Sequence, residues 1–289
     1  EETAVTDYCT QLTGIEPSVA EGGCTLQQAV DAFVRHVDGL TAQGSGQVVL
    51  CTHGSWDLPV QLRSEALRKG IELPDWCLRF VDLREVYRWR MAVLGRRVSG
   101  TSLPQMCEAL GVEVVGRLHS GIDDTRTIAR ILSKCLQSPP PAEAPPYPRV
   151  HDFHADLSSF LSRGSRVLRL EGLPFTATQE DLLSWLGLVW ADAAGVSAEE
   201  GLVLAARLLH PGTLRCSGAG FLVLQDAATA ALMVRAPCRP LGGRAVRVAP
   251  SSWLELRRTC RGLFEDQPSA QFSARVRQLQ EEDMGSDGE

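Results

Sequence analysis

Residues 119–136 read His-Ser-Gly-Ile-Asp-Asp-Thr-Arg-Thr-Ile-Ala-Arg-Ile-Leu-Ser-Lys-Cys-Leu, and this stretch decides the fold of the first half of the chain. From Ile128 onward its apolar residues recur at helical spacing, so we predict a helix that packs by one face. Its first turn places Asp124 beside a loop that carries His119. There a carboxylate can ligate a cation while an imidazole takes a proton from water. The alternative is that Asp123 or Asp124 only complements the positive end of the helix.

A further aspartate follows a strand upstream of this stretch. Residues 48–51 read as a short buried strand, Asp57 comes shortly after it, and a helix is predicted from Leu58 to Lys69. The carboxyl ends of strands are where ligands gather in α/β sheets. A helix N-cap is the alternative role for Asp57. Together with predicted helices at 26–40 and 102–110 and a strand at 80–83, this alternation predicts an α/β fold.

Three segments in the first half resemble a known family, the Eri-1-like and histone-mRNA-exonuclease-like branch of the DEDDh 3′→5′ exonucleases. They are Tyr-Cys-Thr-Gln-Leu-Thr-Gly-Ile at 8–15, Gly-Ser-Trp-Asp-Leu at 54–58 and His-Ser-Gly-Ile-Asp-Asp at 119–124. The resemblance covers residues 1–136. It implies a ribonuclease H-like fold and hydrolysis of the single-stranded 3′ end of RNA.

The resemblance also implies the roles of three residues. Asp57 and Asp124 would be metal ligands and His119 the general base, in a reaction assisted by two Mg²⁺ or Mn²⁺ ions. The two-ion scheme needs four acidic groups, and the family draws the first two from an upstream Asp-x-Glu strand. Residues 1 and 2 are too close to the first matching segment to be that strand. We therefore expect an amino-terminally incomplete exonuclease domain that is inactive alone: a truncated gene sequence, a fragment or a degenerate relative.

Prolines between Ser138 and Pro148 predict a semi-rigid linker. Beyond it the predicted order is βαββαβ, a ferredoxin-like arrangement that resembles an RNA recognition motif of the ordinary or quasi-RRM type. We expect Arg169, Phe221 and Arg247 to form an RNA-binding surface, although only one ring of the usual aromatic platform is present. The alternative is a protein-binding module in which Phe221 is partly buried.

The expected domain limits follow from these segments. A partial exonuclease domain at 1–137 precedes a linker at 138–150 and an RRM-like domain at 151–250. A C-terminal helix at 251–280 and an acidic, disordered tail at 281–289 complete the chain. We expect the helix to pack on the sheet of the RRM-like domain or to reach a partner.

Composition narrows the class of protein. No apolar run reaches the roughly 20 residues of a membrane span, and no secretory signal opens the chain, so we expect no membrane contact. Nine scattered cysteines indicate reduced thiols in the cytoplasm or nucleus rather than disulfides or a zinc site. A net charge of −6 argues against a wholly basic nucleic-acid binder.

The leading interpretation is an RNA exonuclease with an RRM-like module. A non-catalytic RNA-binding or scaffold protein on a degenerate exonuclease fold is the main alternative, and a DNA exonuclease is the third.

Overall fold

The computed structural model describes residues 4–42, 47–193, 201–210, 213, 215–259, 263–264 and 269–285. The chain divides into two compact units, Glu1–Asp152 and Phe153–Glu289. We describe each unit by itself.

The first unit contains seven described α-helices, a π-helical turn, a 3-10 helix at Asp75–Leu78 and a three-stranded sheet. The helices are α1 (Asp7–Thr13), α2 (Pro17–Glu21), α3 (Leu26–Thr41), α4 (Arg63–Arg68), α5 (Leu83–Val93), α6 (Leu103–Leu110) and α7 (Gly121–Leu136). The strands are β1 (Leu50–Thr52), β2 (Arg79–Asp82) and β3 (His151–Asp152). Strand β2 is central, parallel to β1 and antiparallel to β3.

Local sequence signals explain where the helices of this unit begin. The capping boxes Thr25 with Gln28 and Ser102 with Gln105 satisfy the first backbone N–H groups of α3 and α6. The core lies between α5, α6 and α7 and includes Tyr87, Met106 and Ile131, none of which is exposed to solvent. The predicted helix at 58–69 instead opens with a π-helical turn, Asp57–Leu62, before α4 begins.

The prolines predicted to form a linker pack on the first unit. The carbonyl of Pro145 accepts a hydrogen bond from Trp89 Nε1 at 2.9 Å, and Tyr147 stacks on the Trp89 ring with centroids 4.5 Å apart. His151 lies in β3, stacks on Phe80 and contacts Glu85 at 3.0 Å. Residues 145–152 therefore form part of the first unit.

The second unit is built on a five-stranded antiparallel sheet. Its helices are α8 (Phe153–Ser162), α9 (Gln179–Ala193), α10 (Ala227–Arg235), α11 (Trp253–Thr259) and α12 (Ser269–Gly285). Its strands are β4 (Val167–Glu171), β5 (Leu202–Leu209), β6 (Cys216–Leu224), β9 (Arg247–Pro250) and β10 (Leu263–Phe264), with a separate hairpin of β7 (Pro240–Leu241) and β8 (Arg244–Ala245).

The strand order of the large sheet is β10-β5-β6-β4-β9. The chain order β4-α9-β5-β6-α10-β9 is the predicted βαββαβ arrangement, so the α/β fold class with a ferredoxin-like second unit is confirmed. Alternate residues of β4, among them Leu168 and Leu170, face the core beneath α9 and α10. The remaining residues of β4 face the opposite side.

The C-terminal region differs from the prediction of one helix followed by a disordered tail. It forms α11, strand β10 and α12, and α12 continues to Gly285. Asp283 accepts hydrogen bonds from Arg166 at 2.8 Å and from Trp253 at 2.6 Å. These contacts hold the acidic end of α12 against the residue before β4 and against α11. Residues 286–289 lie outside the described part. No described helix is long and apolar enough to cross a bilayer.

Candidate functional site

The loop before α7 is held by the two aspartates of its first turn. The backbone N–H of His119 donates to Asp124 Oδ2 at 3.1 Å, and the backbone N–H of Arg117 donates to Asp123 Oδ2 at 3.1 Å. That bond from Arg117, with a further one from Ser120, lowers the pKa of Asp123. His119 itself is exposed and has a φ of +67°, a left-handed conformation that non-glycine residues rarely adopt. The loop thus places His119 and Asp124 next to each other.

Arg117 connects this loop to the end of α1. Its guanidinium donates to the carbonyls of Gln11 and Leu12. Gly14 ends α1 with a φ of +78°, and a Cβ at this position would lie 2.8 Å from Arg117 Nη1. The segment at 8–15 and the segment at 119–124 are therefore in physical contact through Arg117, a residue that belongs to neither.

Asp57 lies beyond the carboxyl end of β1. Because β1 and β2 are parallel and Thr52 is paired with Asp82, the ends of the two strands meet at one edge of the sheet. Packing of protein atoms around Asp57 raises its pKa, although the residue as a whole is exposed; Asp82 raises that pKa further, whereas His53 and Arg84 lower it. Asp57 is thus in an electrostatic group with the Arg84 guanidinium, the His53 imidazole and a second carboxylate.

Asp82 and Arg84 fix the backbone near Asp57. Asp82, which is 5% exposed, caps α5 through the N–H of Arg84 and pairs with the Arg84 guanidinium at 2.9 Å. A Cβ at Gly54, whose φ is +113°, would lie 2.5 Å from Arg84 Nη2. The predicted segment at 54–58 is therefore seated directly on Arg84.

In the second unit, the surface predicted to bind RNA is covered. Phe221 is 1% exposed and packs with Leu256 of α11 and Val276 of α12. Arg169 pairs with Glu255 of α11 and with Glu171, and Arg247 contacts Glu171 at 3.4 Å. Phe221 therefore cannot stack a base in this conformation, because α11 and α12 bury that face of the sheet in a second core. The predicted alternative of a partly buried Phe221 understates this burial.

An exposed aromatic ring lies in a loop of the same unit. Phe175 follows β4, is 55% exposed, and has the Arg244 guanidinium 5.0 Å from its ring centroid. Arg244 begins β8, directly after the turn of the β7–β8 hairpin. This turn is close to the loop before Phe175, since a Cβ at Gly242 would lie 3.2 Å from Pro174. Two loops thus bring an aromatic face and a cation together at the surface.

Comparison with known proteins shows what the first unit is similar to. The family model RNase_T, described as an exonuclease, matches residues 1–132. ERI1 exoribonuclease 3 of Homo sapiens is 31% identical over 131 residues, which are 44% of this chain and 37% of the relative. ERI1 exoribonuclease 2 of Xenopus laevis is 30% identical over 151 residues, which are 47% of this chain and 21% of the relative.

The chain spans less than two fifths of the length of these curated relatives, at 37% and 21%. Among solved structures, the nuclease domain of 3′hExo, a DEDDh family member bound to rAMP, is 25% identical and covers 52% of this chain and 71% of that chain, with a TM-score of 0.44. The RNA15 RRM is 23% identical and covers 32% of this chain and 97% of that chain, with a TM-score of 0.27.

DEDDh exonucleases, to which the first unit is similar, generally use divalent metal ions. Among the described residues, no three His, Cys, Asp or Glu side chains lie close enough together to hold a metal ion. The described part of the first unit therefore brings His119 to Asp124, and Asp57 to Asp82, without making a complete metal site by itself. Residues 1–3, which include the two glutamates considered above, lie outside the described part.

The sequence interpretation missed Asp82, Arg84 and Arg117. An available signal for the first two was an Asp-Leu-Arg sequence at the end of a predicted strand, which is where a helix cap and an ion pair are expected. Arg117 carried no comparable signal, because its partners are backbone carbonyls 105 and 106 residues away.

Proposed function

We propose that the exonuclease domain is the catalytic part of a 3′→5′ exoribonuclease that removes nucleotides from single-stranded RNA 3′ ends. The observation that carries this proposal is the loop before α7, where the backbone N–H of His119 donates to Asp124 Oδ2, within a unit that matches the exonuclease family model. The relatives named as exoribonucleases support RNA as the substrate.

The proposed roles follow from position and chemistry. His119 is exposed on a fixed loop, so its imidazole can reach a water molecule and accept its proton. The water oxygen bonds to the last phosphorus, the bond from that phosphorus to the 3′ oxygen of the preceding nucleotide breaks, and solvent protonates the departing oxygen. The product is a nucleoside 5′-monophosphate.

We propose Asp57 and Asp124 as ligands of two Mg²⁺ or Mn²⁺ ions, which bind oxygen ligands and supply positive charge at the scissile phosphate. These two residues provide half of the four carboxylates in the two-ion scheme. We propose that the described residues supply only these two ligands, and we do not expect residues 1–289 alone to hydrolyse RNA.

The test measures release of labelled 3′-terminal nucleotides in Mg²⁺ by residues 1–289 and by a longer form preceded by a segment with an Asp-x-Glu strand. We expect the longer form to hydrolyse RNA and residues 1–289 not to do so. The His119→Ala variant of the longer form should hydrolyse RNA at least about 100-fold more slowly, because general-base catalysis contributes that much to the rate. A longer form without activity would support the non-catalytic scaffold. Equal cleavage of matched RNA and DNA would contradict a preference for RNA.

We also propose that the second unit binds RNA through its loops rather than its sheet face. The exposed Phe175 ring beside Arg244 supports this, since an aromatic face stacks a base and a guanidinium contacts phosphate. Stacking contributes about 1–3 kcal/mol per base. Phe175→Ala should therefore weaken single-stranded RNA binding by roughly 5-fold or more, whereas Leu254→Ala, which removes another exposed apolar side chain, should not.

We place the protein in the cytoplasm or nucleus. The eight described cysteines are all free thiols, which supports a reducing compartment.

A further inference from the structure

The outward face of α7 carries a row of cations that the reaction proposed above does not use. Arg126, Arg130 and Lys134 recur every four residues along the helix, while Thr127, Ile131 and Cys135 are buried on another face. Residues four apart on a helix are neighbours, about 5–6 Å from one another. This spacing is close to the separation of successive phosphates along a nucleic-acid strand.

A shallow groove lies against the same face. It has a volume of about 500 Å³ and is lined by Val112, Ala129, Arg130, Ser133, Lys134 and Gln137. Its lining includes two cations and two neutral side chains that can donate hydrogen bonds, and it includes no carboxylate. The lining is therefore suited to an anion.

The two cations that line the groove have no acidic partner among the described residues. Arg126 pairs with Asp123 at 3.3 Å, but within the described part of the chain no carboxylate oxygen lies within 4.0 Å of Arg130 or Lys134. The whole chain carries a net charge of −6, so this is a local positive surface on an acidic protein. The alternative is that Arg130 and Lys134 are simply part of a solvated helix face. That alternative explains isolated cations, but it does not explain why the groove contains two cations and no acidic side chain.

We propose that the α7 groove, defined by the six lining residues above, binds the phosphate backbone of RNA upstream of the 3′ end. The ligand in this proposal rests on the proposed exoribonuclease function. Arg130 and Lys134 lie six and ten residues beyond Asp124, which corresponds to roughly 9 and 15 Å along the helix. The groove therefore lies within a few nucleotides of the candidate active site.

The test measures binding of a fluorescent single-stranded RNA to residues 1–289 in EDTA, over a series of salt concentrations. Each phosphate contact in single strands contributes about −0.7 to the slope of log K against log salt. The Arg130→Gln, Lys134→Gln double variant should reduce the magnitude of the slope by about 1.4 and should weaken binding several-fold or more at low salt.

The matched control is Arg68→Gln with Lys69→Gln. It removes the same charge from the same unit, at two side chains that contact Glu65 within 4.0 Å. Three results would each overturn the proposal. The groove variant and the wild type could have equal salt slopes, the wild type could fail to bind RNA, or the control variant could lose as much RNA affinity as the groove variant. Loss of binding to an acidic peptide without loss of RNA binding would overturn it in favour of a protein partner.

The outcome is independent of hydrolysis. If the groove variant loses RNA affinity but the longer form never cleaves RNA, the groove proposal stands and the exoribonuclease proposal fails. If the longer form cleaves RNA and the groove variant binds RNA as well as the wild type, the exoribonuclease proposal stands and the groove proposal fails.

Discussion

Gly14 lies where two segments distant in sequence meet, because its backbone faces the side chain of Arg117. Its φ of +78° costs an alanine about 1–2 kcal/mol, and the added Cβ would lie 2.8 Å from Arg117 Nη1. Gly14→Ala should therefore lower the free energy of unfolding of the first unit by at least about 1–2 kcal/mol, measured by urea denaturation.

Gly39→Ala is the matched control for this prediction. Gly39 lies within α3, and a Cβ there would meet no atom within 4 Å. Alanine favours a helix interior over glycine by about 0.5–1 kcal/mol, so this variant should be more stable than the wild type. Two variants with shifts of the same sign would show that Gly14 is not constrained as described.

Two buried thiols and one half-buried thiol should differ sharply in reactivity from the exposed thiols. Burial raises the pKa of Cys51, Cys77 and Cys135 to about 11, and Asp82 adds to this effect at Cys51. A raised pKa favours the thiol, so at pH 8 only about 0.1% is thiolate, against roughly a quarter at an ordinary pKa of 8.5. Cys9 and Cys24 are exposed.

We therefore expect alkylation of the native chain at pH 8 to modify Cys9 and Cys24 about 100-fold faster than Cys51, Cys77 and Cys135, as read by peptide mass spectrometry. Urea should abolish the difference. Native alkylation of Cys135 at the rate of Cys9 would show that α7 is not packed as described.

At the scale of single elements, local signals account for most helices. The capping box at Ser102 predicted α6, and the apolar spacing after Ile128 predicted α7. The π-helical turn at Asp57–Leu62 could not be predicted, because no local residue pattern distinguishes it from an ordinary helix start. The proximity of Asp57 to Asp82 followed only from the parallel pairing of β1 with β2, which depends on contacts distant in sequence.

Helix α11 provides a direct test of whether the sheet face is a core. Leu256 is fully buried beside Phe221, whereas Leu254 on the same helix is 58% exposed. Leu256→Ala should destabilise the second unit by about 2–5 kcal/mol, the usual cost of truncating a buried leucine. Leu254→Ala should change stability by less than about 0.5 kcal/mol. Equal, small effects in thermal denaturation would mean that α11 does not cover the sheet, and Phe221 would again be available to RNA.

At the scale of the whole molecule, the strand order of the second unit was predictable, and packing of a C-terminal helix on its sheet was one of two expected roles for that helix. The βαββαβ order followed from periodicity between Arg166 and Val248. In the structure, α11 and α12 pack on the sheet face that carries Phe221, so the same face cannot also be the expected RNA surface. Which face the helices cover depends on contacts distant in sequence, such as the ion pair of Arg169 with Glu255, and the strands alone do not encode it.

The limit between the two units remains a prediction that truncation can test. Ending the first unit at residue 137 removes the Tyr147 stack on Trp89, the Pro145 hydrogen bond and the β3 pairing with Phe80. Aromatic pairs contribute about 0.5–1.5 kcal/mol each and the hydrogen bond about 1 kcal/mol. Residues 1–152 should therefore be about 2–4 kcal/mol more stable to urea than residues 1–137.

The control is a pair of fragments of the second unit. Residues 138–289 and 153–289 should unfold at the same urea concentration, because the contacts described for 145–152 are made to the first unit. If instead residues 138–152 stabilise the second fragment and leave the first unchanged, they act as the amino-terminal part of the RRM-like domain.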